Sequence, residues 1–186
     1  MGVPPMVDVV LDPVDGARSL ALGRANALAA AAVTERGCLF DASPAAHMEK
    51  IAVGPLAASA IDITASVEKN LRSIARAERK EVEDLTIMVL DRPRHGKLMD
   101  QIRATGARIR LLSDGDVAGA IMPAFPNSGV DALLGVGGAA EGVLAACALA
   151  CVGGAIQARV CPQSDAEREA VLAAGHDPSR VLTTLD

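Results

Sequence analysis

Two aspartates three positions apart, Asp12 and Asp15, stand at the end of an apolar run that starts at Val7. Valine and leucine dominate this run, which is typical of a buried strand, and Pro13 is expected to end the strand because it has no backbone N–H to donate. Two carboxylates on one short turn repel each other unless a cation lies between them, and Mg²⁺ and Mn²⁺ prefer oxygen ligands. The aspartate pair therefore predicts a divalent metal site at the tip of a strand.

The next two residues, Gly16 and Ala17, predict the start of a helix beside the aspartates. The free N–H groups at a helix N-terminus attract anions, so a phosphate bound there would lie next to the metal. A structural interpretation stays open, because Asp-Pro and Asp-Gly are common turn sequences. In that interpretation Asp15 caps a helix and Gly16 supplies an unusual backbone angle.

A unit of strand, helix and strand is predicted from Leu85 to Leu112. The apolar runs 85–91 and 107–112 are typical of strands, and Leu98 and Ile102 recur at helical spacing between them. Strands joined in this way run parallel, so their carboxyl ends share one edge of the sheet, where ligands of open α/β sheets bind. The residues at these two ends are Asp91-Arg92-Pro93-Arg94-His95 and Ser113-Asp114-Gly115-Asp116.

The charged residues at this edge are of the types that bind phosphate and hydroxyl groups. Arg92 and Arg94 offer forked N–H donors that match phosphate oxygens, and Asp114 and Asp116 can hold sugar hydroxyls or a cation. The structural alternative is a pair of capped turns with charges on the surface.

Three glycines, Gly135, Gly137 and Gly138, link a third strand-like run over 130–136 to a helix that is predicted to begin near Ala139. Glycines at such a junction let the backbone approach an anion closely. Neither a Walker lysine nor a full dinucleotide fingerprint accompanies them, so the phosphate-loop signal is weak. Glu141, in the first turn of that helix, either complements the helix dipole or bridges a metal ion.

The remaining segments predict further strands and helices. We expect a strand over 25–35 with a hairpin at Gly37, an amphipathic helix over 67–79, a strand over 155–160, and a helix over 165–174 that ends at Gly175. Residues 1–6 have no periodicity and two prolines, so we expect a loose leader. His47, which follows a Ser-Pro turn, is expected to be a polar surface residue.

Composition excludes several functions. The chain of 186 residues fits one domain, and Phe40 and Phe125 are its only aromatic residues apart from histidine, so stacking on nucleic-acid bases is largely unavailable. The net charge of −5 argues against a nucleic-acid partner and an anionic membrane surface. No apolar run reaches the roughly 20 residues that a membrane span needs.

Four cysteines without a CxxC pair, and no secretory signal, indicate free thiols in a reducing cytoplasm. Cys147 and Cys151 are four positions apart on a predicted helix, where they could present two metal-binding thiols. Because they lie in an apolar run, we expect them to be small residues of the core.

The motif DPVDG resembles the signature of metal-dependent sugar-phosphate phosphatases. In order along the chain, DPVDG, GRANALA, MEKIAVGP, LDRPRH, SDGDVA and GVGGAAEG resemble the class II fructose-1,6-bisphosphatases of bacteria, from Val7 onward. This resemblance implies a layered α/β/α/β/α sandwich that hydrolyses the 1-phosphate of fructose 1,6-bisphosphate in gluconeogenesis, with Mg²⁺ or Mn²⁺. Sedoheptulose 1,7-bisphosphate is an alternative substrate, and we expect a homo-oligomer.

The resemblance also implies roles for individual residues. The metal ligands would be Asp12, Asp15 and Glu141. The substrate contacts would be Asp15, Gly16, Ala17, Arg92, Pro93, Arg94, Asp114, Gly115, Asp116 and Gly138, with His47 at the position of a substrate-contacting tyrosine.

Two residues depart from the family pattern. Ala17 stands where the family has a threonine whose hydroxyl helps to activate and orient the attacking water, and losing such a group costs about 10²–10⁴-fold in rate. His47 replaces the tyrosine and retains a ring donor. A non-catalytic domain that binds sugar phosphate or metal is therefore the alternative function, and an inert remnant is a third possibility.

Family members carry additional segments on both sides of the matching region. We therefore expect residues 7–186 to form a single partial domain, a sandwich incomplete at both ends. Missing layers leave apolar surface and strand edges uncovered, so the chain is expected to self-associate.

Overall fold

The computed structural model of the protein describes residues 5–25 and 27–186. The leader expected over 1–6 therefore lies mostly outside the described residues. Of its two described residues, Pro5 and Met6, neither belongs to a helix or a strand. Asn26, within the strand expected over 25–35, also lies outside the described residues.

The described residues form eight strands and six α-helices. The strands are β1 (Val7–Asp15), β2 (Leu28–Glu35), β3 (His47–Val53), β4 (Thr86–Leu90), β5 (Arg108–Leu112), β6 (Ala132–Gly138), β7 (Ala155–Val160) and β8 (Leu182–Thr183). The helices are α1 (Ala17–Ala21), α2 (Val67–Glu78), α3 (Gly96–Ala104), α4 (Val117–Ile121), α5 (Ala139–Val152) and α6 (Asp165–Ala173). Within the described ranges, no helix is long and apolar enough to cross a membrane.

A six-stranded mixed sheet, with the strand order β5-β4-β6-β3-β7-β8, lies at the centre of the structure. β4 runs parallel to β5 and to β6, which confirms the predicted unit of strand, helix and strand. β3 lies between β6 and β7 and is antiparallel to both. The carboxyl ends of β4, β5 and β6 therefore share one edge of the sheet.

Helices cover both faces of this sheet. α2 and α3 pack on one face around Leu71, Ile74 and Ile102, whereas α4 and α5 pack on the other face around Ala120 and Leu149. The hairpin of β1 and β2 lies on the far side of α5, which also packs against β3, β6 and β7. The layer order is helix, sheet, helix, hairpin, which confirms a layered α/β fold.

The composition of each helix matches its layer. α5 lies between two sheets and is apolar on nearly every side, whereas α2 has a sheet on one side only and is strongly amphipathic, as predicted. Cys147 is half-buried, but Cys151 is exposed, so the prediction of a core position is wrong for Cys151. The reason is an open groove of about 820 Å³ between β2 and the last turns of α5.

The hairpin corrects two expectations. Pro13 does not end β1, which continues to Asp15. The pairing with β2 is irregular between Asp12 and Asp15, and a bulge of this kind tolerates proline because no ladder hydrogen bond is needed there. In addition, β2 pairs with β1 and not with Cys38–Phe40, which form no strand.

The outer face of the hairpin presents apolar side chains to solvent. Val9, Leu11 and Val33 are about 60% exposed, and Val9 lies directly opposite Val33 in the antiparallel pair. Exposed apolar patches of this kind favour association. The self-association expected from the sequence thus has a defined surface, and it stays a prediction.

The double variant Val9→Thr/Val33→Thr is expected to weaken self-association. Threonine keeps the strand propensity but removes a methyl from each site, and four lost methyls across a dimer correspond to about 3 kcal/mol, or roughly 100-fold in the dissociation constant. Light scattering over a concentration series measures the dissociation constant. The control is Leu56→Thr, because Leu56 is exposed but lies outside the hairpin. A monodisperse wild-type monomer at all concentrations would contradict the prediction.

Candidate active site

Two Asp-Gly turns meet at the carboxyl edge of the sheet. Gly16 (φ 85°) and Gly115 (φ 73°) both adopt the left-handed conformation, each after an aspartate and just before a helix. A Cβ atom on Gly115 would lie 2.9 Å from Asp15 Oδ1 and 2.9 Å from the Gly16 nitrogen. The close approach of the turns therefore requires glycine at this position.

Each of these turns caps the helix that follows the other turn. Asp15 accepts hydrogen bonds from the N–H groups of Asp116 (3.2 Å) and Val117 (3.1 Å) at the start of α4. Asp114 accepts one from the N–H of Arg18 (2.9 Å) in the first turn of α1. Asp15 thus caps a helix, as in the structural interpretation, but the helix lies about 100 residues away along the chain.

Capping does not exclude metal binding by Asp15, because a carboxylate has about four lone-pair positions. Asp15 is buried, and this burial, with Asp116 and Asp12 nearby, raises its pKa to about 6. A divalent cation would relieve this crowding of negative charge, so the donor set fits a hard metal ion. Within residues 5–25 and 27–186, however, no three potential ligands already stand in a metal-binding group, so the ligand set Asp12, Asp15 and Glu141 stays a prediction.

The glycines before α5 make room for an anion that belongs to the protein itself. A Cβ atom on Gly137 would lie 1.8 Å from Asp116 Oδ2, so only glycine lets that carboxylate approach. Lys50 Nζ donates to the same oxygen (2.5 Å) and to the Gly138 carbonyl (2.7 Å). Sequence reasoning missed Lys50, although a lysine beside the apolar residues Ile51–Val53 was a usable signal.

Glu141 lies close to this cluster. Its carboxylate folds back over Gly138, where an added Cβ atom would be 1.9 Å from Glu141 Oε2. The contacts therefore run from Glu141 through Gly138, Lys50 and Asp116 to Asp15. Four stretches that are distant in sequence meet at one place, whereas the sheet-edge argument had predicted this only for residues 91–95 and 113–116.

The two arginines differ in their surroundings. Arg92 is half-buried, forms an ion pair with Asp114 and donates to the Ser113 carbonyl (2.6 Å). Arg94 is exposed after Pro93, and its Nε and Nη2 atoms both donate to the Val136 carbonyl (3.1 and 2.7 Å). In the described part of the chain its Nη1 group has no acceptor, so the exposed Arg94 has donors available for an anion.

Two histidines lie beside β6. His95 is buried, and its Nε2 accepts from the Val136 N–H (2.8 Å), so the proton resides on Nδ1 and is donated to the Leu90 carbonyl (2.8 Å). His47 is half-buried opposite Gly138 in the β3–β6 pair, so its assignment as a surface residue is wrong. Its Nδ1 is enclosed and has no hydrogen-bond partner among the described residues.

The fold and the site together define a layered α/β protein with an acidic, glycine-rich site at the sheet edge. The family of bacterial fructose-1,6-bisphosphatases, glpX-encoded, matches residues 1–186, and the chain belongs to this family. The resemblance inferred from the sequence is therefore confirmed.

Curated relatives agree with this assignment. Proteins of Microcystis aeruginosa, Synechocystis sp. and Crocosphaera subtropica, each named D-fructose 1,6-bisphosphatase class 2/sedoheptulose 1,7-bisphosphatase, are 41% identical to the chain over 154 residues. Each match covers 83% of this chain but only 44% of the relative. The chain thus spans about half the length of these relatives, and the matched residues span less than half.

Gly115→Ala is expected to destabilise the protein more than Gly23→Ala. Both glycines have positive φ, which costs about 1–2 kcal/mol for alanine, but a Cβ on Gly23 would meet nothing within 4 Å. The collision with Asp15 adds about 1–3 kcal/mol at Gly115. Urea denaturation of both variants measures the difference, and equal losses would contradict the contact between the turns.

His95→Gln is expected to reduce the loss in the free energy of unfolding that occurs as the pH falls below 6.5. Burial, chiefly, lowers the pKa of His95 from its ordinary value of 6.5, so the unfolded chain takes up a proton at a higher pH than the folded protein. The stabilisation is complete above pH 6.5 and is lost as the pH falls below it, by at most about 1.4 kcal/mol per pH unit.

The measurement is the free energy of unfolding between pH 5 and pH 8, for wild type, His95→Gln and the control His176→Gln. The raised pKa of Asp15 acts in the opposite direction but is common to all three proteins. The same pH dependence in wild type and His95→Gln would contradict the assigned neutral state.

Proposed function

We propose that this chain is a sugar-bisphosphate phosphatase that removes the 1-phosphate of fructose 1,6-bisphosphate with the help of Mn²⁺ or Mg²⁺. The observation that carries the proposal is the meeting of the two Asp-Gly turns with the glycine junction before α5. This arrangement places carboxylates, an arginine with available donors and exposed backbone at one edge of the sheet. Family membership supports the same function.

The metal would be held by Asp12, Asp15 and Glu141. The burial of Asp15 beside Asp116 and Asp12 supports this set, since no lysine or arginine of the described residues forms an ion pair with Asp15. Asp12 is half-buried at the bulge of β1, where its Oδ1 accepts the Val14 N–H (3.0 Å) and its other oxygen remains available. When bound, a divalent cation supplies polarisation of the phosphoryl group.

The protein's own groups would bind and orient the substrate. Arg94 offers charged N–H donors to a phosphate, and the backbone from Asp15 to Ala17 approaches it without bulky side chains. Asp116, Gly138 and His47 would contact the sugar, and this is supported by the position of His47 opposite Gly138 in the β3–β6 pair. Arg92 and Asp114 neutralise each other, so we assign them the role of fixing the turn of Gly115.

A second function is favoured by one residue. Ala17 is exposed at the first position of α1 and has no hydroxyl, so the water-orienting group that the family resemblance implies is absent. A domain that binds sugar phosphate and metal without turnover is therefore the alternative.

Several finer assignments belong to the same proposal. We assign the chain to the cytoplasm and to gluconeogenesis, with sedoheptulose 1,7-bisphosphate as a second substrate. The relatives' names support the second substrate, and four free cysteines suit a reducing compartment. A homo-oligomer is supported by the exposed face of the hairpin.

Ala17→Thr is expected to raise kcat about 10²–10⁴-fold, because it restores a hydroxyl that can orient water. Ala17→Val has the same shape without the hydroxyl and is expected to give no gain. The exposed position accommodates both side chains. Phosphate release from fructose 1,6-bisphosphate is measured with Mn²⁺ and after chelation of the metal.

Release that survives chelation, or equal rates for the threonine and valine variants, would contradict the proposed mechanism. No release from any variant, together with calorimetric binding of fructose 1,6-bisphosphate to wild type, would select the non-catalytic binding domain.

A further inference from the structure

We propose that Lys50 is a positioning residue that sets the recognition of the sugar, acting through Asp116. This inference rests on the proposed function, in which Asp116 contacts the sugar. Lys50 lies within the motif MEKIAVGP, but neither the sequence nor the family resemblance assigned a role to it.

Lys50 is enclosed by the site. It projects from β3, one of the two central strands of the six-stranded sheet, and its side chain is only 1% exposed. Its stem passes Gly142 of α5, where an added Cβ would be 3.4 Å from Lys50 Cδ. The glycines at 137 and 142 thus leave the space through which the lysine reaches the carboxyl edge.

The ammonium group fixes two parts of the site at once. It donates to Asp116 Oδ2 and to the Gly138 carbonyl, so the sugar-contacting carboxylate and the glycine junction are held in a constant relation. In the described part of the chain no donor reaches Asp116 Oδ1, which leaves that oxygen for a ligand hydroxyl. The backbone N–H of Asp116 is bound by Asp15, so the orientation of Asp116 is set from both sides.

Stability alone does not account for a lysine at this place. Burying an ammonium and a carboxylate requires removing both from water, and well-packed apolar residues in place of such a pair are often neutral or stabilising. A fixed carboxylate, by contrast, is what recognition of a hydroxyl requires, because an acceptor that is already oriented loses less freedom on binding. The pair therefore serves orientation.

Lys50→Met tests this proposal, with Lys80→Met as the matched control. Lys80 also forms an ion pair with a buried aspartate, Asp131, but at the opposite end of β6. Calorimetry with Mn²⁺ present measures the dissociation constants for fructose 1,6-bisphosphate and for inorganic phosphate. For Lys50→Met we expect the first to rise about 10- to 100-fold and the second to change less than about threefold.

Lys50→Arg keeps the charge, but its planar head cannot reproduce both contacts of the ammonium. It is expected to lose about three- to tenfold in affinity for the sugar bisphosphate only. If thermal melts show that Lys50→Met is unfolded, the proposal is tested with Lys50→Arg instead. Lys80→Met is expected to bind both ligands as wild type does.

The outcomes separate the two proposals. Wild-type affinity for the sugar bisphosphate in the Lys50 variants, or an equal loss for both ligands, would overturn the role of Lys50 and leave the proposed function intact. A wild-type protein that binds neither ligand would overturn the proposed function itself.

Discussion

The hydrogen bonds from the start of α4 to Asp15 connect the hairpin to the rest of the molecule. Asp15 is the last residue of β1, and the N–H groups that it accepts belong to a turn about 100 residues later. The return bond from Arg18 to Asp114 closes the contact. Because these bonds satisfy backbone donors at two helix starts, each turn supplies a cap for the helix that follows the other turn.

Charge balance then divides the groups of the site. Lys50 compensates Asp116, and Arg92 compensates Asp114, so both aspartates of the second turn carry a partner from their own chain. Within residues 5–25 and 27–186 Asp15 has no such cation, and its burial beside Asp116 and Asp12 raises its pKa. The unbalanced negative charge is concentrated at the tip of β1, which is where a hard divalent cation is most strongly favoured.

Much of the fold was accessible from local patterns. The apolar runs that became β4, β5, β6 and β7 and the periodicity of α2 each reflect a side-chain preference over a few residues, and the structure confirms them. Pro13 was misjudged because its effect depends on pairing, and a bulge in the pairing tolerates it. Cys151 was misjudged because burial of a helix face depends on what the neighbouring layers cover.

The site was predicted less completely, for a related reason. The sequence identified the acidic turns, the arginines and the glycines, since their residue types carry the chemistry. It could not show that Asp15 caps α4, that Gly137 accommodates Asp116, or that Lys50 completes the cluster, because these contacts join residues that are 21 to more than 100 positions apart. Gly137 is an example. The sequence suggested that the backbone there approaches a bound anion, whereas in the structure it approaches the carboxylate of Asp116.

The most direct test of the account is a crystal structure of the chain grown with Mn²⁺ and fructose 1,6-bisphosphate, with the anomalous signal of manganese used to locate the metal. The account predicts a manganese peak bound by Asp12 and Asp15, with a phosphate beside the turn of Gly16 and the sugar against Asp116. A manganese peak only at surface carboxylates away from β1, or a sugar bisphosphate bound elsewhere, would contradict it.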